Sequence, residues 1–170
     1  MAVQIGDVIL YGANGVCRID DMRTEKLGLE VRTYYILKPI RNGSSTIFVP
    51  ADNPSLVKQM QPILSSGEIH ELLVQVASKK EEGWVSDARA RSEHYKGILS
   101  GGERALILSA LRTLYIRRCE LGARGKQLCS SDETFFSRAE DIFADEFSTV
   151  LSLSREEARA YLYRGLGLEK

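Results

Sequence analysis

The spacing of apolar and polar positions changes once along this chain, near residue 67. Up to Pro50 the apolar residues come in short runs, VILYG, VCRI, RTYYILK and STIFVP, rich in the β-branched and aromatic side chains that suit a pleated surface. Turn signals separate them: GANG at 12–15, Lys26 to Gly28, and RNGS at 41–44, where Asn42-Gly43 favours the left-handed conformations of a tight hairpin. Four or five strands this short cannot bury the second face of a flat sheet, so a small antiparallel β-barrel is expected. Pro50, Pro54, Pro62 and the paired serines then interrupt both ladder and helix formation. The domain boundary is placed there, giving 1–66 and 67–170.

No proline occurs from Glu68 to Lys170, and the apolar spacing becomes helical. Helices are predicted near 68–78, 85–99, 103–121, 132–150 and 155–165. Four S-x-x-E capping boxes fit their starts: Ser65 with Glu68, Ser100 with Glu103, Ser130 with Glu133 and Ser154 with Glu157. Gly101-Gly102 and Gly122 to Gly125 fall where helices should stop. The fold class that follows is α+β: a small β-barrel and then an all-α helical bundle. The helix at 103–121, with Leu106, Ile107, Leu108, Leu111, Leu114, Tyr115 and Ile116, is expected at the bundle's centre or at a dimer interface, and Phe135, Phe136, Ile142, Phe143, Phe147, Val150 and Leu151 in its core.

Charge changes this picture locally. The 23 basic residues cancel the 23 acidic ones over the whole chain. Residues 79–126, however, carry 11 basic against 6 acidic residues, a net +5, and residues 127–170 carry 5 against 9, a net −4. A bulk polyanion binder is therefore excluded, and a local basic patch is not. No apolar run reaches the roughly 18–20 residues needed to cross a bilayer. The opening MAVQIGDVIL lacks the basic segment of a signal peptide, so a cytoplasmic protein with no membrane partner is expected.

Catalytic parts are missing from the sequence. It contains no HExxH, G-x-S-x-G, Walker or GxGxxG motif, and its only histidines are His70 and His94. Cys17, Cys119 and Cys129 are an odd, widely spaced set, which argues against a disulfide framework and a zinc site. Neither enzyme activity, cofactor nor metal is expected. Ser100-Gly101-Gly102 reads as a helix–helix turn before it reads as a phosphate cradle. Glu140, Asp141, Asp145 and Glu146 read as a solvated face before a metal site.

Trp84 is the only tryptophan and lies among charged residues in KKEEGWVSDARAR, after a glycine and before a helix. Two readings stand: an anchor packed under the interdomain loop, or an exposed aromatic wedge flanked by cations that neutralise phosphates. On the helix that follows, Ala88, Tyr95, Ile98 and Leu99 share one face, and Arg89 and Lys96 lie exposed about 120° away. Arg91 flanks the apolar stripe, either reaching a phosphate or covering the core with its stem. Lys79, Lys80, Arg124 and Lys126 complete the candidate DNA-binding set, with Arg112, Arg117 and Arg118 as further basic residues.

In order and content these segments resemble the CarD and CdnL family of bacterial transcription regulators. VQIGDVILYGANGVCRIDDM, RTYYILKPI and STIFVPADN resemble its N-terminal strands. GWVSDARARSEHYKGILSGGERALILSALRTLYIRR resembles its lone tryptophan with the two helices after it, and FFSRAEDIFADEFSTVLSLSREEARAYL its closing helices. The resemblance implies a Tudor-like or SH3-like barrel that docks on the RNA polymerase β subunit and a helical domain that contacts promoter DNA. It also implies a tryptophan, Trp84 here, wedged into the minor groove at the upstream edge of the melted region, stabilising the open complex. The barrel alone also resembles the polymerase-binding module of transcription-repair coupling factors. YGANGVC departs from the family's usual turn, and Phe48 occupies a position often basic in the family. Docking is then expected to use the strand edge and Phe48, with Arg23, Lys26 and Arg41 supplying alternative charges. Association with the nucleoid through polymerase follows. A protein–protein adaptor, with Trp84 as its hot spot, is the alternative function.

Overall fold

The computed structural model describes residues 3–81 and 83–168. It separates into two compact units, Met1–Ile63 and Leu64–Lys170.

The first unit is a five-stranded antiparallel sheet: β1 (Val8–Tyr11), β2 (Val16–Leu27), β3 (Glu30–Pro39), β4 (Ile47–Pro50) and β5 (Met60–Pro62), in the order β4-β3-β2-β1-β5. Its core gathers Ile9, Tyr11, Cys17, Ile19, Leu37, Val49 and Met60. The expected barrel does not close, because β4 and β5 stand at opposite edges of the sheet. The reason is length: β4 and β5 span four and three residues and both end at proline, which has no N–H to extend a ladder. β4 reaches only Tyr34–Leu37 of β3, so among the described residues the outer half of the long β2–β3 ribbon has no third strand beside it. A bulge between Ile19 and Asp21 bends that ribbon.

The turns only partly follow the sequence reading. GANG folds as a single 3-10 turn with Gly12 and Gly15 at φ +47° and +74°. Gly28, at φ +66°, turns the β2–β3 hairpin. Asn42-Gly43, in contrast, does not make a tight hairpin turn; neither residue has positive φ. Residues 40–46 form a wider loop in which Ser44 Oγ donates to Asn42 Oδ1 at 2.6 Å and Ser45 N–H to the Asn42 carbonyl at 3.0 Å. The proline-rich stretch is also more ordered than its composition suggests. Asn53 caps a short helix, α1 (Pro54–Val57), and β5 then pairs along β1, with Met60 opposite Tyr11.

The second unit holds α2 (Ser66–Ser78), α3 (Ala88–Gly101), α4 (Arg104–Ala123), α5 (Ser130–Leu151) and α6 (Arg155–Gly165). Two of the four expected capping boxes form, at Ser65/Glu68 and Ser154/Glu157. Ser100 lies inside α3 instead, and the N-cap positions of α4 and α5, Glu103 and Cys129, supply no side-chain cap. Gly102 ends α3 in the left-handed conformation with its N–H on the Ile98 carbonyl, which makes this a helix stop. Ile107, Leu108, Leu111 and Leu114 of α4 are buried, as are Phe135, Phe136, Phe143 and Phe147 of α5. None of the described helices is long and apolar enough to cross a membrane.

Candidate functional site

Strand β4 carries Phe48, half exposed and edge-on to Tyr34 at a centroid distance of 6.2 Å. The ladder sets Phe48 opposite Ile36 and Ile36 opposite Asp21, while Tyr34 lies opposite both Pro50 and Arg23. Directly opposed residues share a face, so Phe48, Tyr34, Asp21 and Arg23 form one surface. Arg23 Nε donates to Asp21 Oδ2 at 2.7 Å, and this bond together with the Met22 amide holds the Asp21 carboxyl below its ordinary range. The structure thus brings Arg23 and Phe48 together. It does not add the other two expected contacts: Lys26 lies opposite Val31 on the other face, that of Tyr35, and Arg41 lies in the 40–46 loop. β4 is an edge strand with no further strand beside it among the described residues. Its Pro50 carbonyl accepts the Asn53 N–H at 3.2 Å, which leaves the backbone at Phe48 as the part an added strand could pair with.

In the helical unit, Trp84 sits half-buried in the connector between α2 and α3. Two guanidinium groups lie over its ring, Arg91 at 4.2 Å and Arg117 at 5.0 Å from the centroid, both within cation–π range. The connector itself is fastened by arginines near both ends. Arg112 Nη1 donates to the Lys79 carbonyl at 2.9 Å, and Arg91 Nη1 to the Val85 carbonyl at 2.7 Å.

Arg91 departs from its expected place. It is 5% exposed and bound to Asp132, itself 1% exposed, through Nε–Oδ1 at 2.9 Å and Nη2–Oδ2 at 2.6 Å. All three of its nitrogens are engaged, since Nη1 also reaches Val85, so it cannot serve as a phosphate contact while this arrangement holds. The hydrogen-bonded Asp132 raises the Arg91 guanidinium above its ordinary value, against the effect of burial. Arg89 and Lys96 are exposed on α3, with Lys96 Nζ 3.1 Å from Glu93. Lys79 and Lys80 are exposed after α2, and Arg124 and Lys126 after α4. Lys126 borders a groove of about 680 Å³ with Arg118, Gln127, Ser130 and Glu133.

Arg117, Arg112 and Asp132 are the residues the sequence left unassigned to a site. Arg117 and Arg112 read there only as part of a basic stretch, and Asp132 sat inside an expected capping box. The acidic residues of α5 are likewise not a solvated face. Glu146 is fully buried against Arg104, while Arg155 of α6 bonds Asp141 at 2.7 Å and Asp145 at 2.8 Å. Among the described residues no group of three or more His, Cys, Asp or Glu is placed to hold a metal ion. Cys17 is buried, which pushes its thiol up to about 11, whereas Cys119 and Cys129 are exposed.

Residues 3–64 match the family model of the CarD-like/TRCF RID domain, a segment that spans the sheet and α1 and ends just before α2. No curated protein matches the chain.

Proposed function

We propose that this protein, whose first unit is a CarD-like/TRCF RID domain and hence an RNA polymerase-interacting module, is a noncatalytic bacterial transcription regulator. The sheet unit docks on the polymerase β subunit through the edge strand β4 and the surface of Phe48 and Arg23. The helical unit meets promoter DNA, with Trp84 entering the minor groove at the upstream edge of the melted region and prolonging the open complex. Arg89, Lys96, Lys79, Lys80, Arg124 and Lys126 neutralise phosphates without reading bases. Its place of action is the cytoplasm, on the nucleoid.

The observation that carries this reading is the domain match, joined in the same chain to a half-buried tryptophan set among cations. A net charge of only +5 over residues 79–126 suits such a division of labour. It gives weak, salt-sensitive DNA affinity on its own, which tethering to polymerase raises through effective concentration.

The test is Trp84→Ala, followed by polymerase binding, thermal unfolding and open-complex lifetime. A wedge contact is worth about a few kcal/mol at an unstacked step, so lifetime should fall at least tenfold with polymerase binding retained. Unchanged lifetime under conditions where the variant is folded would defeat the wedge and favour a protein–protein adaptor.

A further inference from the structure

The Arg91–Asp132 pair has no evident reason to be ionic. A buried ion pair of this kind contributes little net stability compared with apolar residues of similar volume, and the surrounding helices already supply an aromatic contact, with Tyr95 stacked on Phe135 at 4.4 Å. What the charged pair does that apolar residues could not is reach the tryptophan. The carboxylate of Asp132, in the first turn of α5, takes Nε and Nη2 of Arg91 on α3. That orients the remaining nitrogen, Nη1, onto the carbonyls of Val85 and Ser86 at 2.7 and 3.4 Å, the two residues directly after Trp84. The same guanidinium plane lies over the indole. A single planar group therefore fixes both the backbone that carries Trp84 and the ring itself, and a bidentate carboxylate fixes the plane.

We propose that Arg91 and Asp132 are positioning residues for Trp84, setting how much of the indole is presented to solvent and in what orientation. The pair touches no nucleic acid. Its consequence for promoter complexes rests on the function proposed above, but its effect on Trp84 does not.

Because Trp84 is the only tryptophan, its fluorescence reads this directly in the full-length protein without DNA. Asp132→Asn removes the carboxylate charge and one acceptor oxygen. The double variant Arg91→Met/Asp132→Leu removes the whole pair while keeping the interior filled, so it guards against a single variant that fails to fold. Arg91→Lys keeps the charge but not the planar fork. In each folded variant the acrylamide quenching constant of Trp84 should rise at least twofold and the emission maximum should shift to the red. A purely structural role would lower the melting temperature and leave native-state quenching unchanged, and that result in the double variant overturns the proposal. In promoter assays the same variants should shorten open-complex lifetime, to a smaller extent than Trp84→Ala. If Trp84→Ala itself leaves lifetime unchanged, the wedge reading falls, and quenching still decides whether the pair positions the indole.

Discussion

Arg104 on α4 and Glu146 on α5 form a two-point ion pair, with Nε donating to Oε2 at 3.0 Å and Nη2 to Oε1 at 2.6 Å. Glu146 has no exposed surface, and its Oε1 also accepts the backbone N–H of Leu64 at 3.1 Å, at the start of the helical unit. Three donors thus converge on one buried carboxylate. Removing a single partner leaves a buried charge uncompensated, which costs about 3–5 kcal/mol. Arg104→Ala and Glu146→Ala should each lower unfolding free energy by about that amount in urea titrations. Arg104→Met/Glu146→Leu should recover much of the loss.

Gly165, near the end of α6, faces Leu73 of α2. A Cβ there would lie 2.6 Å from Leu73 Cδ1 and 3.2 Å from its Cβ. Leu73 is itself buried, and its Cβ as well as its Cδ1 would have to give way, which a rotamer change alone does not achieve. Gly165→Ala should therefore destabilise the helical unit by about 1–3 kcal/mol, although alanine is the better helix former. Retained stability in thermal unfolding would show that α6 shifts to make room.

The two capping boxes make an acid-side prediction. Glu68 and Glu157 each accept a backbone N–H, from Ser65 and Ser154, and these bonds hold both carboxyls below the ordinary glutamate value. A carboxyl whose folded value is depressed stabilises the fold above its unfolded value and loses that contribution as pH falls through the folded one. The starts of α2 and α6 should therefore be fully capped above about pH 4.5 and loosen below it. Protection factors at Ile69 and Ala158, corrected for the slower intrinsic amide exchange in acid, should fall there, and Glu68→Gln should remove that pH dependence at α2 alone.

Phe48 gives the corresponding prediction for the sheet unit. It is 50% exposed and touches Tyr34 by its edge, so Phe48→Ala should cost less than about 1 kcal/mol of stability, in the range of cross-strand aromatic pairs. Polymerase binding should weaken at least fivefold. Arg23→Glu distinguishes the two parts of the surface, because an electrostatic contribution falls with salt and a strand-edge contact does not.

Local rules carried the sequence a long way for this protein. The change of apolar period, the glycines at 12, 15 and 28, and the capping boxes at Ser65 and Ser154 each depend on residues within a few positions of one another. From them came the four longer strands, the five helices, and the placing of Trp84 just ahead of a helix. Decisions between distant residues came only with the tertiary structure. β5 pairs along β1 some fifty residues away, which no local pattern marks, and the sheet stays open because its two edge strands are too short to meet. Arg91 and Asp132 are 41 positions apart, and Arg104 and Glu146 are 42. In sequence an arginine or an acid looks the same whether it is solvated or buried. Its role is set by which helix faces meet, because an ion pair leaves water only where packing brings its partner within hydrogen-bond reach.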